Sequence, residues 1–279
     1  MKKIMLCAIS NISSGNCGED CKFCTQSVKN DAVVDTYKQK DIAQIVKEAK
    51  IAKANHALGF CLVTSGVGLN DNKVEFVCAA AHAVQKAEPN LMLIGCNGIA
   101  KKEQLKELKK AGVFSYNHNL ETSREFYKNI CDSHTWDDRF ATNLYAKEVG
   151  LELCCGGIHG LGESEEDRIS FLSSLKELNP FSSPINFFIS HPALPIKQPK
   201  LDADTAFKII KETKTALPNT RVMIAGGREA VLGDRQYEIF EYGAEAIVIG
   251  DYLTQKGEIA SKDIKRLEDM GFEFLDMCH

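Results

Sequence analysis

Three closely spaced cysteines near the N-terminus form the pattern with the clearest chemistry in the chain. Residues 15–24 read GNCGEDCKFC, which places Cys17, Cys21 and Cys24 at the spacing Cys-x3-Cys-x2-Cys. Three thiolates at this spacing can bind a zinc ion or a [4Fe–4S] cluster, and either group would keep one position without a protein ligand. No Cys or His stands between Cys24 and His56 to close a zinc site. The pattern favours a cluster whose open iron can bind a small molecule, and a zinc knuckle is the alternative.

Two further cysteines lie on predicted strands. Because side chains alternate along a strand, Cys61 shares one face with Val63, and Cys154 shares one face with Glu152, while Cys155 points the other way. A single buried cysteine is usually a small hydrophobic residue. Here two inward-facing cysteines stand on separate strands of a chain that also has a cluster loop. Simple packing and a second metal site are therefore equally open interpretations.

Composition and charge exclude several classes of protein. The chain has 279 residues, 44% of them hydrophobic, with 34 Lys and Arg against 38 Asp and Glu for a net charge of −4. This balance offers no basic surface for nucleic acid or an anionic membrane, so we expect neither as a partner. No apolar run approaches the roughly 18 residues of a membrane span.

The N-terminus and the cysteine count bear on the cellular location. The first apolar stretch, residues 4–9, is too short for a signal peptide and no cleavage site follows it. We therefore expect a cytoplasmic protein, in which thiols stay reduced and clustered cysteines bind metals more often than they form disulfides. The odd count of 11 cysteines also argues against a disulfide framework.

Eight β-rich runs alternate with helical patterns along the chain. They lie at residues 4–9, 60–64, 91–95, 113–117, 151–158, 185–190, 221–225 and 246–250. This alternation predicts parallel strands with right-handed crossovers, and eight repeats predict a closed (β/α)8 TIM-type barrel. An open doubly wound sheet is the alternative, but its Gly-rich dinucleotide motif is absent after the first strand. We expect one domain over residues 1–279, with a short C-terminal tail after about residue 252, and reactive groups at the C-terminal ends of the strands.

One segment, YNHNLETS at residues 116–123, is more specific than the three-cysteine loop after the first predicted strand. Other informative segments are FC at 60–61, CCGGI at 154–158, GLGE at 160–163, PIN at 184–186 and GRE at 227–229. Many radical enzymes share the three-cysteine loop, and with these segments the chain resembles the biotin synthase family of radical S-adenosylmethionine enzymes over nearly its whole length. The resemblance implies the radical S-adenosylmethionine type of (β/α)8 barrel.

The resemblance also implies a reaction that uses two clusters. Cys17, Cys21 and Cys24 would hold a [4Fe–4S] cluster whose open iron binds S-adenosylmethionine, and reductive cleavage of this cofactor would give a radical that abstracts hydrogen from dethiobiotin. An auxiliary iron–sulfur cluster, [2Fe–2S] in the commonest form of the family, would donate the sulfur. The chain would then be a sulfurtransferase that completes biotin biosynthesis, and a closed lumen would protect the carbon radical from water and thiols.

The same resemblance assigns polar residues to the cofactor and the substrate. Amides can donate and accept hydrogen bonds, and a carboxylate can accept from ribose hydroxyls. Isolated Asn and Gly are also common at strand ends and turns for purely structural reasons, which is the alternative. The implied cofactor-binding residues are Asn119, Glu121, Gly157, Gly160 and Glu163, and the implied substrate-binding residues are Asn117 and Asn186.

The chain departs from the family at two of the four auxiliary ligands, which are three cysteines and one arginine. Cys61 and Cys154 match, and we expect them to be catalytic as ligands of the sulfur donor. Without gaps, the other two positions fall on Ile94 and Met223. Cys96 stands two residues from Ile94, and Arg221 stands two residues from Met223. Each is a candidate replacement on the same strand face, displaced by about 6 to 7 Å along the strand. The cluster type and the fourth ligand stay open.

The remaining expectations concern spare cysteines and partners. The default interpretation is structural for five cysteines, and one of them, Cys131, is a possible spare ligand. The family implies a flavodoxin-type electron donor, the iron–sulfur assembly machinery and a homodimer. Two other functions stay open: a radical reaction without sulfur donation, and a zinc-stabilised barrel without catalysis. The five cysteines are Cys7, Cys78, Cys131, Cys155 and Cys278.

Overall fold

The strands and helices alternate along the chain, and the computed structural model describes residues 2–254 and 256–276. The strands are β1 (Lys3–Asn11), β2 (Gly59–Val63), β3 (Met92–Cys96), β4 (Ser115–Asn117), β5 (Glu152–Cys154), β6 (Gly157–His159), β7 (Ser182–Phe187), β8 (Arg221–Ile224), β9 (Ala246–Val248) and β10 (Glu273–Phe274). The α-helices are α1 (Ile42–Ala54), α2 (Asp71–Ala87), α3 (Lys102–Lys110), α4 (Trp136–Glu148), α5 (Glu165–Leu178), α6 (Ala203–Ala216), α7 (Arg228–Leu232) and α8 (Ala260–Asp269). None of the helices in the described ranges is long and apolar enough to cross a membrane.

The strands close into a parallel barrel. Neighbours follow the order β1, β2, β3, β4, β5, β7, β8 and β9, and β6 pairs with β7. The barrel closes where β9 returns to β1, with Met5 opposite Ala246 and Cys7 opposite Val248. The predicted (β/α)8 barrel is therefore confirmed, and the closing pair of strands excludes the open sheet.

The structure differs from the predicted elements at two places. The run expected as one strand at residues 151–158 is divided into β5 and β6. Gly156 between them passes so close to the Pro184 carbonyl oxygen that a Cβ would overlap it. The segment expected as a tail after about residue 252 contains α8 and β10, and β10 pairs with the start of β1. This segment therefore adds a strand at the N-terminal end of the barrel.

Two apolar clusters lie on opposite faces of the barrel wall. On β1, Ile4 and Leu6 belong to the cluster between the strands and the helices, whereas Met5 and Cys7 belong to the cluster inside the lumen. The alternation follows from the two-residue period of a strand. The buried lumen cluster consists of Met5, Cys7, Leu58, Cys61, Val63, Met92, Ile94, Met223, Ala225, Ala246 and Val248.

Helix starts are fixed beside the C-terminal ends of the strands. Thr135 and Asp138 form a capping box at the start of α4, and Ser164 and Asp167 form one at the start of α5. Such caps satisfy backbone N–H groups that have no partner within the helix. The capped start of α4 holds the first turn of that helix against the loop after β4, where the site lies.

Candidate active site in the barrel

The three-cysteine loop lines a cavity at the C-terminal end of the barrel. Cys17, Cys21 and Cys24 all face this cavity of about 360 Å³, which we call the upper cavity. The Asn30 side chain donates to the carbonyl oxygens of Cys21 and Cys24, at 3.1 and 2.8 Å, and so holds the loop closed on itself. The structure thus brings the three predicted ligands to one site.

The distances between these thiols distinguish a zinc site from an iron–sulfur cluster site. In the described part of the chain, one set of three potential ligands has its donor atoms within 4.8 Å of one another, and it consists of Cys21, Cys131 and His134. Ligands of a tetrahedral zinc ion at about 2.3 Å would have their sulfur atoms roughly 3.8 Å apart. Cys17, Cys21 and Cys24 together are spread too widely for that, so their donor set fits a cluster better than a single ion.

Cys131, expected as a spare ligand, lies next to the loop. Its Sγ is 3.7 Å from the Sγ of Cys21 and 3.3 Å from Nδ1 of His134. The hydrogen bond from Cys21 lowers the pKa of Cys131, and bonds from His134 and Ser133 add to this effect. Cys131 therefore contacts Cys21 from behind the loop, and His134 beside it lines the upper cavity. Ligation by Cys131 stays a prediction.

The polar wall of the upper cavity comes from the end of β4. Asn117, Asn119 and Glu121 line it together, as their alternation predicts. Oδ1 of Asn117 and Oε2 of Glu121 are buried without a hydrogen-bond partner, and burial raises the pKa of Glu121. Buried acceptors normally have partners. These two orphaned oxygens thus fit a ligand rich in N–H and O–H groups, as S-adenosylmethionine is.

Glu121 also has a strained backbone. Its φ of +70° lies in the left-handed region, which residues other than glycine seldom adopt. Its backbone pairs with Gly157, where a Cβ would overlap the carbonyl oxygen of Glu121. Gly157 therefore permits the conformation that turns the Glu121 carboxylate into the cavity.

Arg139 is a residue of this wall that the sequence analysis missed. From α4 it donates to the Tyr127 hydroxyl at 2.7 Å, to the Asn119 carbonyl at 2.8 Å and to Glu121 Oε1 at 3.4 Å. Burial lowers the pKa of Arg139, but nearby Glu121 and Tyr127 outweigh it and raise the pKa above its usual range. The guanidinium is a fixed positive charge at the cavity, suited to a carboxylate. Because its partners are remote in sequence, no local sequence pattern predicts that Arg139 belongs to the site.

A second cavity lies deeper in the lumen and is lined by thiols. Cys61, Cys96 and Cys154 face this space of about 260 Å³, the lower cavity, among apolar side chains such as Ile94 and Val248. Burial raises the pKa of Cys61 and of Cys154 well above the ordinary value, and neighbouring thiols raise both further. Thiols that remain neutral until a metal ion displaces their protons are suitable ligands for an iron–sulfur group.

Arg221 does not take part in lining the lower cavity. Its guanidinium stacks on the Phe181 ring at 4.9 Å and donates to Sδ of Met5 at 3.5 Å. Met223 faces the cavity instead. The shift of two residues carries Arg221 to the N-terminal end of β8, below the other candidates, which corrects the expectation that it joins them. The donor groups on this wall fit an iron–sulfur cluster with thiolate ligands, and they do not fit the family's combination of cysteines and one arginine.

The two cavities share one wall. Cys96, Asn117, Asn119 and Asn186 line both of them. Asn186 is held in one orientation, because its Nδ2 donates to the Gly157 carbonyl at 3.1 Å and its Oδ1 accepts from Gly226 N at 3.0 Å. A molecule bound against these amides would touch both cavities at once.

The glycine-rich segment that begins in β6 and continues into the next turn lies beside the upper cavity. Gly157, Gly160 and Glu163 are not among the residues that line either cavity, whereas Ile158 lines the upper one. The Glu163 carboxylate accepts from the backbone N–H groups of Gly160 and Leu161, at 2.9 and 2.8 Å. Gly160 and Glu163 thus shape the turn that follows Ile158, and Gly157 pairs with the backbone of Glu121. Their contact with the cofactor stays a prediction.

The other cysteines divide between the two faces of the barrel wall. Cys155 and Cys78 pack in the helix layer, as predicted. Cys7 faces the lumen in the same apolar cluster as Cys61. Cys278 lies outside the described residues.

A closed parallel barrel with a three-cysteine loop at its C-terminal end defines a radical S-adenosylmethionine enzyme. Residues 11–175 match the Radical SAM superfamily, and residues 184–273 match the Biotin and Thiamin Synthesis associated domain. Biotin synthase of Campylobacter lari is 68% identical over 277 residues, and that of Campylobacter fetus subsp. fetus is 67% identical over 275 residues. Both alignments cover 99% of this chain and 100% of the relative. The chain belongs to the biotin synthase family.

Solved structures of lower sequence identity share the fold. Methylornithine synthase is 18% identical with a TM-score of 0.81, covering 98% of this chain and 84% of that one. The FeFe-hydrogenase maturase from Carboxydothermus hydrogenoformans is 16% identical with a TM-score of 0.83, covering 98% and 67%. At this identity the likeness concerns the barrel alone.

Proposed function

We propose that this chain inserts sulfur into dethiobiotin to form biotin, in a radical reaction that depends on S-adenosylmethionine. The observation that carries the proposal is the wall shared by the two cavities. One cavity holds the thiols of a radical-generating cluster and the other holds the thiols of a sulfur donor. A substrate bound against the shared amides has access to both.

The proposed roles follow the walls of the cavities. Cys17, Cys21 and Cys24 hold the [4Fe–4S] cluster at the rim. Glu121 accepts from ribose hydroxyls, and Arg139 pairs with the carboxylate of S-adenosylmethionine. When bound, the reduced cluster supplies the electron that cleaves this cofactor, and the auxiliary cluster supplies the sulfur.

The amides position the substrate between the two cavities. Asn186 keeps one N–H and one lone pair free after its two backbone bonds, enough to pair with a ureido N–H and C=O. Asn117 adds its unpartnered Oδ1 from β4. Asn119 is held by Gly156 N at 3.1 Å and orients the cofactor side of the wall.

Cys61 and Cys154, with Cys96, hold the auxiliary cluster in the lower cavity. This cavity is lined mostly by apolar side chains such as Ile9, Ile94 and Met223. Such a lining excludes water, which protects a reactive carbon radical from being quenched. The chain's contribution here is therefore both ligation and exclusion of solvent.

The wider setting of the enzyme is part of the proposal. Residues 1–279 act as one barrel domain in the cytoplasm, as a homodimer that receives its clusters from the iron–sulfur assembly machinery. A flavodoxin-type partner delivers electrons at the three-cysteine loop, where Phe23 and Cys24 are partly exposed. Gly157, Gly160 and Glu163 support the cofactor site indirectly through Ile158.

The experiment is anaerobic reconstitution of the full chain, followed by incubation with a chemical reductant, S-adenosylmethionine and dethiobiotin. We expect biotin and 5′-deoxyadenosine by mass spectrometry. Cys61→Ala should stop biotin formation while the cofactor is still cleaved. A different result would establish a radical reaction without sulfur donation. In that case the wild type cleaves the cofactor, contains the iron of one cluster and forms no biotin, and Cys61→Ala cleaves the cofactor as fast as the wild type. A colourless protein that takes up no iron would indicate the zinc-stabilised barrel.

A further inference from the structure

Cys7 is a buried thiol of the lumen to which no role has been given. It lies on β1 with an exposed fraction of 0%. Its strand neighbours of equal parity, Met5 and Ile9, face the lumen with it, whereas Leu6 and Ala8 face the helices. Cys7 therefore points to the same interior as Cys61.

Gly59 on β2 locates the Cys7 thiol. Cys7 and Gly59 are directly paired across β1 and β2. A Cβ on Gly59 would lie 2.5 Å from Sγ of Cys7 and 3.1 Å from Cδ1 of Ile94. The sulfur therefore lies over the glycine, next to the end of the Ile94 side chain on β3. That position is where the family resemblance places a ligand cysteine, and isoleucine stands there in this chain.

Packing places Cys7 close to the other lumen thiols. Cys7 belongs to the same cluster of buried lumen residues as Cys61 and Ile94. On its other side it is paired with Val248 of β9, and Val248 lines the lower cavity together with Cys61, Cys96 and Cys154. Cys7 therefore lies in the ring of strands that surrounds this cavity.

Among the described residues, the lumen therefore contains four thiols, whereas the resemblance provides two matching cysteines. Cys7 comes from β1, Cys61 from β2, Cys96 from β3 and Cys154 from β5. Four cysteine thiolates are the usual ligand set of both [2Fe–2S] and [4Fe–4S] clusters. Arg221 is occupied by Phe181 and Met5 at the end of the barrel.

We propose that cysteines alone hold the auxiliary cluster of this chain, and that Cys7 replaces the cysteine that the family carries at the position of Ile94. The inference rests on the proposed function, since it requires an auxiliary cluster. It assigns the four ligands to four strands, and Met223 serves only to fill the cavity.

The test is Mössbauer spectroscopy, with iron and sulfide counts, on full chains reconstituted anaerobically with ⁵⁷Fe. Cys7→Ser and Cys7→Ala are compared with the wild type. Cys155→Ser is the matched control, because it changes a fully buried cysteine that packs in the helix layer. We expect both Cys7 variants to lose or alter the auxiliary component and to keep the component of the three-cysteine loop, which also reports that the barrel has folded. Cys155→Ser should match the wild type.

A second variant keeps the test decisive if the loss of Cys7 weakens the fold. Ile94→Cys in the Cys7→Ser background restores a thiol beside the same site, so we expect it to recover the auxiliary iron and sulfide. Wild-type auxiliary spectra in both Cys7 variants would overturn the inference and leave the proposed function standing. A wild-type chain with the loop cluster alone would overturn the proposed function and the inference with it.

Discussion

The upper and lower cavities hold their thiols in different ways. The upper three come from one loop of eight residues, beside polar groups that include the unpartnered oxygens of Asn117 and Glu121. The lower thiols come from different strands, one thiol on each of β1, β2, β3 and β5, and apolar side chains surround them. A site built within one loop is encoded by local spacing. A site built across strands depends on their register and on which face each side chain takes.

The largest effect is expected from the upper cavity. Cys24→Ala removes one of three ligands from a cluster that has no spare protein ligand within the loop, so cofactor cleavage should fall by at least about 100-fold. The measurements are 5′-deoxyadenosine formation and iron content. Retention of the loop cluster and its activity would show that the three-cysteine loop does not hold it.

Arg139→Lys tests the polar wall next. Lysine keeps the charge but loses the planar group that contacts Tyr127, Asn119 and Glu121 together, so binding of S-adenosylmethionine should weaken by roughly 10- to 100-fold. Calorimetric titration of the reconstituted enzyme measures this. Arg124→Lys is the control, because Arg124 forms an exposed pair with Asp137. Equal affinities in the two variants would remove Arg139 from the cofactor site.

Gly59→Ala tests the lower cavity without touching a thiol. The added methyl group would press on the Cys7 sulfur, and overpacking of this kind costs about 1 to 3 kcal/mol. We expect lower unfolding stability and a loss of auxiliary iron, with the loop cluster retained. Gly18→Ala in the upper loop is the comparison, since nothing lies within 4 Å of its added Cβ. Full auxiliary iron in Gly59→Ala would contradict the close packing of Cys7.

Asn186→Ala should have the smallest effect of the four. It removes one amide from the shared wall and leaves Gly226 N without its acceptor, so KM for dethiobiotin should rise about 5- to 10-fold, as expected for loss of one hydrogen bond. Cofactor cleavage without substrate should not change. A fall in that cleavage equal to the loss of biotin formation would place Asn186 at the cofactor rather than at the substrate.

Sequence reasoning reached the two regions unequally. Alternation of strands and helices predicted the barrel, spacing predicted one site for the loop cysteines, and side-chain alternation predicted a common face for Asn117, Asn119 and Glu121. The lumen-facing direction of Cys7 was not predicted, because parity divides a strand into two faces without saying which is inside. Arg139 was missed because its partners meet it only after α4 packs against the β4 loop.

The central claim is that the thiol-lined lower cavity holds the sulfur that enters biotin. It is tested most directly by a single turnover of wild-type chain reconstituted with ³⁴S-sulfide, in the presence of unlabelled S-adenosylmethionine and dethiobiotin. We predict biotin that carries ³⁴S, measured by mass spectrometry, with no such product from Cys61→Ala. Biotin that carries only the natural sulfur isotopes, or labelled biotin from Cys61→Ala, would contradict the account.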